Sequence, residues 1–216
     1  MGVVLFDLDG VLTSRDTFGL LVRRRLVTSP WRLLLALPAL ALLPVAGDRP
    51  RLRAPVARSV VRVALAGESL TAVQSACRVL GAEFAATPAW LHREAVRRAS
   101  EHLRRGDRVL VITATEEGLA RTLLDSLGLE KVEVLASRLA PSRLGTRLSP
   151  HLYGAAKVEA LLAAGIPPPW KAMYTDSVAD FPVLREVERA VLVNPSRRLL
   201  TLACSLTGQV EVERWT

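Results

Sequence analysis

The feature that most constrains this chain of 216 residues is an apolar segment near its start that ends in two carboxylates. Residues 3–8 are apolar except for Asp7, and Asp9 follows two positions later. A continuous apolar run with β-branched residues at its start is typical of a strand buried on both faces of a parallel sheet. Residues 107–113 repeat the pattern and end in Thr113. The sequence therefore predicts a buried sheet with polar residues at the carboxyl ends of its strands.

Strand and helix patterns alternate through the second half of the chain. Further strands are predicted at residues 132–136, 171–175 and 190–193. Helical patterns cover residues 116–127, 154–164 and 181–187. Residues 144–150 are expected to form a short hairpin with the strand before them. The alternation predicts an α/β fold, a Rossmann-like parallel sheet in three layers with helices on both faces. Its strand ends should bring Asp7, Thr113 and Asp176 to one crevice.

The stretch between the first two strands contains only helical patterns. Prolines and glycines divide it into several helices, and the last of these, residues 88–105, is expected to return to the sheet. This predicts an all-helical cap inserted after the first strand, formed by residues 16–87. The core is then formed by residues 1–15 and 88–216.

The positive charge of the chain lies in this insert. Residues 14–66 contain ten arginines and two aspartates, which accounts for the whole net charge of +8. The arginines have no interleaved aromatic side chains and no recognised nucleic-acid-binding motif, which argues against a nucleic-acid partner. The sequence does not indicate an oligomeric state.

Cysteine and histidine spacing gives no sign of a metal site. Cys77 and Cys204 lack metal-ligand spacing, and no secretory signal is visible, so a reducing, cytoplasmic compartment is expected. His92, His102 and His151 are likewise unpaired in the sequence and are expected at the surface or in the insert.

Asp7 and Asp9 have the spacing to divide the work of phosphate transfer. One carboxylate can attack phosphorus in line, and the other can donate a proton to the leaving oxygen and then activate water. Because carboxylates and a phosphoryl group repel one another, a hard cation is expected, and Mg²⁺ prefers such oxygen ligands. Asp7 and Asp176 are its predicted carboxylate ligands, with the backbone carbonyl of Asp9 as a third.

Other segments supply groups that such a site needs. Thr113 offers a hydroxyl, the amides that follow it, beginning with Ala114, can bind phosphate oxygens, and Lys157 offers a fixed positive charge. Asp180 lies one helical turn beyond Asp176 and is expected to orient a metal-bound water. Each residue alone has a simpler interpretation as a turn, a helix cap or a solvated charge. Those interpretations do not account for the ordered set.

These segments resemble the four motifs of the haloacid dehalogenase superfamily phosphatases. They are residues 6–13 (FDLDGVLT), 112–115 (ITAT), Lys157 and 176–180 (DSVAD). The resemblance implies that Asp7 is the nucleophile and Asp9 the general acid/base. It also implies that Thr113 and Lys157 bind phosphate, and that Asp7, Asp9 and Asp176 surround Mg²⁺. Because the dehalogenase branch lacks the second aspartate of the first motif, Asp9 implies a phosphatase.

The insert resembles the cap of the phosphoserine-phosphatase-like branch, subfamily IB. Within that branch, residues 16–19, the arginines after them and residues 30–43 look most like phosphatidylglycerophosphatase C. This implies a lipid phosphate such as phosphatidylglycerophosphate as substrate. Two positions depart from the patterns of the branch. Thr175 stands where many members have glycine, and residues 114–118 lack the glycine-rich stretch of phosphoserine phosphatases.

Several alternatives remain open from the sequence. The substrate could be a small soluble phosphomonoester, such as phosphoserine, histidinol phosphate or a sugar phosphate. The chain could transfer phosphate to an acceptor other than water. It could also be a membrane-surface binding module whose site is vestigial.

Residues 33–47 are the segment best suited to contact a membrane. They are 15 uncharged residues broken by Pro38 and Pro44, shorter than the about 20 residues that a spanning helix needs. They form either a buried hairpin of the insert or an element resting at the inner face of a membrane, with Trp31 at its edge. Basic side chains near anionic lipid contribute about 1 kcal/mol each. The flanking segment 23–53 contains Arg23, Arg24, Arg25, Arg32, Arg49, Arg51 and Arg53.

Overall fold

Six parallel strands form the central sheet of this computed structural model, which describes residues 2–46 and 50–215. The strands of the chain are β1 (Val3–Phe6), β2 (Arg108–Glu116), β3 (Glu133–Ser137), β4 (Leu139–Ser142), β5 (Gly145–Leu148), β6 (Ala172–Thr175), β7 (Arg189–Val193) and β8 (Gln209–Glu213). The central sheet has the order β3-β2-β1-β6-β7-β8, and every pair of neighbours in it is parallel. β1 therefore lies in the middle of the sheet.

Helices cover both faces of this sheet. They are α1 (Thr17–Val27), α2 (Pro30–Ala46), α3 (Pro50–Ala64), α4 (Leu70–Ala85), α5 (Arg93–Arg104), α6 (Glu117–Ser126), α7 (Ala155–Ala163), α8 (Phe181–Leu184) and α9 (Arg197–Ala203). Alternate residues of β1 point to opposite faces, so that Phe6 joins the apolar layer of α1, α4, α5 and α6. Leu5 joins the layer of α7, α8 and α9. The predicted α/β fold with a Rossmann-like three-layer core is confirmed.

Several element bounds differ from the prediction. Residues 88–105 form a 3₁₀-helix (Pro88–Trp90) and α5 rather than a single helix. Helix α9 and strand β8 follow β7 and were not predicted. Val210 and Val212 alternate with polar residues in β8, and this period of two was a signal for an edge strand.

The inserted helices rest on the core through α4. A Cβ atom at Gly81 of α4 would lie 2.6 Å from the carbonyl oxygen of Leu119 in α6, so only glycine permits this approach. The hairpin also contacts the insert, because the Gly67 amide donates to the Leu144 carbonyl at 2.8 Å. That hairpin pairs β4 with β5 in a separate antiparallel sheet. The prediction that it would pair with the strand at residues 132–136 is therefore wrong.

Helix α2 exposes apolar side chains along one side. Its opposite side packs against α3 and buries Ala36 completely. Leu34 and Leu35 are 66% and 63% exposed. We call the exposed side the α2 apolar face; it comprises Trp31, Leu34, Leu35, Leu37, Leu42 and Val45. In the described part of the chain, no helix is long and apolar enough to cross a membrane. Residues 33–46 thus belong to a helix that packs on α3 with one side and exposes the other.

A network of buried hydrogen bonds joins the amino-terminal ends of the central strands. The Asp107 carboxylate accepts bonds from Lys171 Nζ at 2.7 and 2.9 Å, from the Gly2 amide at 3.0 Å and from His102 Nδ1 at 2.9 Å. Because Nδ1 donates, the other ring nitrogen of His102 accepts from the Tyr174 hydroxyl at 3.1 Å. His102 is buried, and His92 is buried as well, so the expectation of surface positions for them is wrong. The network joins β1, β2, β6 and α5.

We expect Asp107→Asn to destabilise the fold by about 1–3 kcal/mol, because a buried acceptor of four hydrogen bonds from three donor groups loses its charge. Burial alone would raise the pKa of Asp107, but the bonds from Lys171, His102 and Gly2 hold it at about 2. The carboxylate therefore stabilises the fold fully above its ordinary pKa of 3.8, and this contribution is lost as the pH falls through 2. Urea unfolding between pH 2 and 7 measures both effects.

Asp125→Asn is the matched control, since Asp125 lies at the surface in a pair with Arg121. The control should change stability by less than about 1 kcal/mol. Equal losses in the two variants would contradict a stabilising role for the network.

Candidate active site

The carboxyl ends of β1, β2 and β6 open into one cleft of about 1220 Å³. The structure brings every predicted site residue to its lining. These are Asp7, Asp9, Thr113, Ala114, Lys157, Asp176 and Asp180. The strand order explains the convergence, because β1 lies between β2 and β6 and the ends of parallel strands share one edge.

A buried lysine links two of the aspartates. Lys157 in the first turn of α7 places Nζ 3.1 Å from Asp7 Oδ1 and 2.6 Å from Asp180 Oδ1. Burial disfavours its charge, but Asp180 and Asp7 hold the pKa of Lys157 above its ordinary value. The pKa of Asp7 is raised well above its ordinary value by burial; Lys157 opposes this shift, while the charges of Asp180, Asp9 and Asp176 add to it. Lys157 is thus the cation on which the ionised form of Asp7 depends.

Asp9 is held by donors from both the core and the insert. Its Oδ1 accepts from the Thr17 amide at 2.8 Å and from the Thr13 hydroxyl at 3.3 Å. Its Oδ2 accepts from the Thr115 hydroxyl at 2.6 Å, and this hydroxyl lies 3.0 Å from that of Thr17. Burial and then the charge of Asp16 raise the pKa of Asp9 to about 6, although these hydrogen bonds lower it. A carboxyl with this pKa can both give and take a proton near neutral pH.

Sequence reasoning missed Thr13, Thr17 and Thr115. Thr115 lies two residues beyond Thr113, where the register of β2 with β3 shifts, and its amide donates to the Thr113 hydroxyl at 3.1 Å. That bond uses Thr113 as an acceptor and leaves its O–H to donate towards the cleft. Thr17 follows the helix cap Asp16, and only the fold shows that it reaches Asp9.

The loop after β6 is shaped by Thr175 and Gly10. The Thr175 hydroxyl donates to Asp180 Oδ2 at 2.7 Å and accepts from the Ser177 amide at 3.0 Å. This threonine, at a position where glycine was the expected residue, therefore fixes Asp180. Gly10 has φ +80°, and a Cβ atom on it would overlap the carboxylate of Asp176. Burial first, and then the charge of Asp180, raise the pKa of Asp176 to about 6.

The donor set fits a hard cation held by few protein ligands. Asp7, Asp9, Asp176 and Asp180 surround one cleft end at which Lys157 is the lining cation. Within residues 2–46 and 50–215, no three side chains of His, Cys, Asp or Glu are arranged to hold a metal ion by themselves. The mutual repulsion of the carboxylates is what such a cation would relieve.

The far side of the cleft is formed by the insert and the hairpin. Its apolar lining comes from helices α1, α2 and α3, including Phe18, Val22, Leu26, Leu33, Leu40, Leu43, Val60 and Val61. Four arginines that we call the arginine wall line the same side: Arg23, Arg58, Arg62 and Arg147. The cleft lining therefore combines the carboxylates at the strand ends with apolar and arginine side chains from the insert and the hairpin.

A comparison with known families gives one match. Residues 4–185 match the sequence model of the haloacid dehalogenase-like hydrolases. No curated protein sequence matches the chain significantly.

Solved structures share the fold over nearly the whole chain. A protein of unknown function from Bordetella pertussis Tohama I is 23% identical, with a TM-score of 0.63 and 97% of each chain covered. A substrate-bound phosphoserine phosphatase is 15% identical, with a TM-score of 0.62, covering 97% of this chain and 92% of that one. A phosphoserine phosphohydrolase-like protein from Francisella tularensis is 14% identical, with a TM-score of 0.65, covering 99% and 95%. At these identities the likeness shows the fold alone.

We expect Gly10→Ala to destabilise the fold by more than the about 1–2 kcal/mol that a left-handed non-glycine residue costs. The added methyl group must also displace the Asp176 carboxylate. Urea unfolding of both proteins measures the difference.

Gly128→Ala separates the two costs. Gly128 has φ +72°, but nothing lies within 4 Å of a Cβ atom there, so that variant reports the backbone strain alone. If Gly10→Ala costs no more than Gly128→Ala, the close contact between Gly10 and Asp176 has no energetic consequence.

Proposed function

Because the chain belongs to the haloacid dehalogenase-like hydrolase family, we propose that it is a phosphatase that hydrolyses phosphate monoesters through a phosphorylated Asp7. The observation that carries this proposal is the pairing of Asp7 with the buried Lys157, beside an Asp9 that is bound by separate donors. Lys157 thereby favours the ionised form of the first carboxylate, while the second, with a pKa of about 6, can give and take a proton. Nucleophilic displacement with acid assistance requires this pair of states.

Asp7 is the proposed nucleophile. Its Oδ1 is in contact with Lys157 Nζ at 3.1 Å and accepts from the Leu8 amide at 2.9 Å, so Oδ2 remains for attack on phosphorus. A bond forms between this oxygen and phosphorus while the bond from phosphorus to the ester oxygen breaks. Lys157 neutralises the charge that the carboxylate and the phosphoryl group bring together.

Asp9 is the proposed general acid and base. In the first step its carboxyl donates a proton to the leaving alcohol oxygen. In the second step it takes a proton from water as that water attacks phosphorus, and the bond between phosphorus and Asp7 breaks to release phosphate. The hydroxyl of Thr115 and the amide of Thr17 hold Asp9 for both transfers.

The remaining motif residues bind and position. Thr113 donates its hydroxyl to a phosphoryl oxygen, and the Ala114 amide is the proposed second donor. Asp7 and Asp176 would hold Mg²⁺ with the carbonyl of Asp9, and Asp180 acts behind them by fixing Lys157. When bound, the ion supplies positive charge that offsets the repulsion between carboxylates and phosphate.

We assign substrate selection to residues 16–87 as a cap over a core of residues 1–15 and 88–216. A lipid phosphate such as phosphatidylglycerophosphate is the first candidate, because the apolar side chains of α1, α2 and α3 line the cleft next to the carboxylates. A small soluble phosphomonoester is the second candidate, since two solved phosphoserine phosphatases share the fold over nearly their whole length.

We further propose that the α2 apolar face rests on the inner face of a membrane, with the protein otherwise in the cytoplasm. A contiguous exposed apolar surface of this kind marks an interaction site. The arginines flanking it contribute less than the sequence suggested. Arg24 is paired with Glu83, and both Arg25 and Arg32 are paired with Glu68. Arg49 and the side chains of Arg51 and Arg53 lie outside the described residues, so the leucines and Trp31 carry this proposal.

Hydrolysis of an aryl phosphate should require Mg²⁺ and should fall by roughly a thousandfold or more in Asp7→Asn, because the amide cannot form the phosphorylated intermediate. Phosphate release is the measurement, before and after chelation and after Mg²⁺ is restored. Asp125→Asn makes the same chemical change away from the cleft and should retain activity.

Turnover without a metal, or full activity of Asp7→Asn, would contradict the mechanism. The substrate candidates are separated by a panel of phosphatidylglycerophosphate, phosphatidate, phosphoserine and histidinol phosphate. Turnover of one soluble ester and of neither lipid would overturn the lipid assignment. Product that depends on an added alcohol would indicate phosphoryl transfer instead of hydrolysis. Vesicle binding without turnover of any ester would indicate a vestigial site.

Replacing both Leu34 and Leu35 by Gln should weaken binding to phosphatidylglycerol vesicles roughly a hundredfold. Burying each leucine contributes about 1.5 kcal/mol, and 1.4 kcal/mol corresponds to a factor of about ten. Vesicle sedimentation measures the binding.

Replacing both Val79 and Leu162 by Gln is the control, because these exposed side chains lie on α4 and α7 and outside the α2 apolar face. The control variant should bind vesicles as the wild type does. Equal binding by all three proteins would remove the membrane proposal and leave the enzymatic one intact.

A further inference from the structure

We infer that His151 is a specificity-determining residue, whose ring nitrogen Nε2 donates a hydrogen bond to an oxygen atom of the leaving alcohol. The inference rests on the proposed function, because it concerns the part of the substrate that leaves when phosphate is transferred to Asp7. It defines the substrate class as phosphate monoesters whose alcohol carries a further oxygen. His151 was expected at the surface or in the insert. The structure places it in the lining of the cleft, on the segment between β5 and α7.

The carboxyl end of β3 anchors His151 to the sheet. Ser137 is the last residue of β3, and its Oγ lies 3.4 Å from His151 Nδ1. In the register of β3 with β2, Ala136 pairs with Thr113 and Ser137 pairs with Glu116. Neighbouring strands of a sheet lie about 4.8 Å apart. Ser137 therefore holds His151 at the end of the strand next to the one that supplies Thr113, the proposed phosphate-binding group.

Two further contacts orient the imidazole ring. The ring stacks on that of Tyr153, with centroids 5.9 Å apart and an interplanar angle of 5°. An offset stack at this separation is a favourable arrangement of aromatic rings. The carbonyl of Pro150, directly before the histidine, accepts from the Arg138 amide at 3.2 Å. A side chain that is oriented in advance loses less conformational entropy when it binds a ligand.

The Ser137 hydroxyl determines which ring nitrogen carries the hydrogen. Its oxygen accepts from the Leu152 amide at 2.9 Å, and in the described part of the chain His151 Nδ1 is the acceptor for its own hydrogen. Because an unpaired hydrogen on a buried hydroxyl is costly, Nδ1 accepts and the hydrogen of the neutral ring lies on Nε2. Burial, and then the charge of Arg58, lower the pKa of His151, so the ring is neutral at pH 7.

The N–H group at Nε2 is available to a ligand. Within residues 2–46 and 50–215, this atom has no hydrogen-bond partner, and it is not among the buried atoms that lack one. It is therefore accessible, on a residue that lines the cleft. A small number of placed polar groups is what orients a ligand in a largely apolar pocket and gives the pocket its specificity.

The acceptor is an oxygen of the leaving alcohol, because Lys157, Thr113 and the Ala114 amide already serve the phosphoryl group. Phosphatidylglycerophosphate offers a hydroxyl, phosphatidate an ester oxygen and phosphoserine a carboxylate. Histidinol phosphate instead offers an ammonium group, which has no lone pair to accept a hydrogen bond. Histidinol phosphate should therefore be the poorest of these four substrates. The two lipids and phosphoserine distinguish a lipid source of the oxygen from a soluble one.

Three soluble esters of matched size test the donor. Pentyl phosphate, 2-ethoxyethyl phosphate and 3-methoxypropyl phosphate have the same number of chain atoms, and each ether replaces one methylene group by an oxygen that only accepts. The wild type should hydrolyse at least one ether with a kcat/KM about tenfold above that of pentyl phosphate, because a hydrogen bond of ordinary strength corresponds to roughly this factor.

The variants His151→Gln and His151→Phe separate the hydrogen bond from the ring. The Gln amide supplies an N–H donor without a ring, whereas Phe keeps a ring beside Tyr153 and has no donor. The preference for the ether should remain in His151→Gln and disappear in His151→Phe, through a change in KM. Each preference is a ratio of two substrates in one protein, so a smaller folded fraction does not alter it.

A wild type that prefers neither ether would overturn the inference. So would a preference that survives in His151→Phe, or one that is lost equally in both variants. Nitrogen NMR of the labelled imidazole rings gives a readout besides activity, since His151→Phe identifies the signals of His151 by their absence. A neutral ring with its hydrogen on Nε2 is expected at neutral pH. A hydrogen on Nδ1 would contradict the assigned donor.

Binding of phosphonates separates this inference from the proposed function. Hexylphosphonate, 3-ethoxypropylphosphonate and 4-methoxybutylphosphonate match the three esters and are not hydrolysed. By isothermal titration with Mg²⁺, the wild type should bind one ether about tenfold more tightly than hexylphosphonate, and His151→Phe should bind all three equally. Turnover of all three esters at equal kcat/KM would refute this inference and leave the phosphatase proposal standing. If neither these esters nor an aryl phosphate is hydrolysed, the proposed function fails, and the titration still decides whether His151 selects an oxygen.

Discussion

The contact on which the candidate site depends is the buried ammonium group of Lys157 between Asp7 and Asp180. Four carboxylates at one sheet edge would repel one another strongly in a buried setting, and this cation joins two of them directly. Thr175 completes the arrangement by binding the other oxygen of Asp180. The charge beside Asp7, the proposed nucleophile, is thus set by a chain of contacts that begins behind the cleft lining, at Thr175 in the last position of β6.

A second link joins α1 and β2 at Asp9. Its carboxylate is bound by the hydroxyl of Thr115 from the core and by the amide of Thr17 at the start of α1. The helix that begins the insert therefore also helps to orient the proposed acid. Helix α4 anchors the other end of the insert, because Gly81 brings it against α6. The insert therefore contributes both to the lining of the cleft and to the position of Asp9.

Features formed by residues close together in the chain could be predicted from the sequence, and features formed by residues far apart in the chain could not. The central strands were visible as apolar runs, and the residues after them were expected to converge because parallel strands end at one edge. Thr17 and Thr115 were not visible, since their contact joins positions 98 residues apart. The Asp107 network was missed for the same reason: His102, Asp107 and Lys171 meet only when three elements pack. The hairpin was assigned to the wrong partner because β4 contains Pro141, and a proline disfavours a strand assignment from the sequence.

The α2 apolar face has a consequence for the protein in solution. The leucines of the α2 apolar face are exposed to solvent, so this face is the surface through which two copies of the protein would associate first. The net charge of +8 opposes that encounter at low ionic strength, and added salt screens the opposition. We therefore expect the α2 apolar face to govern how readily the isolated protein aggregates. Aggregation should increase as the salt concentration is raised.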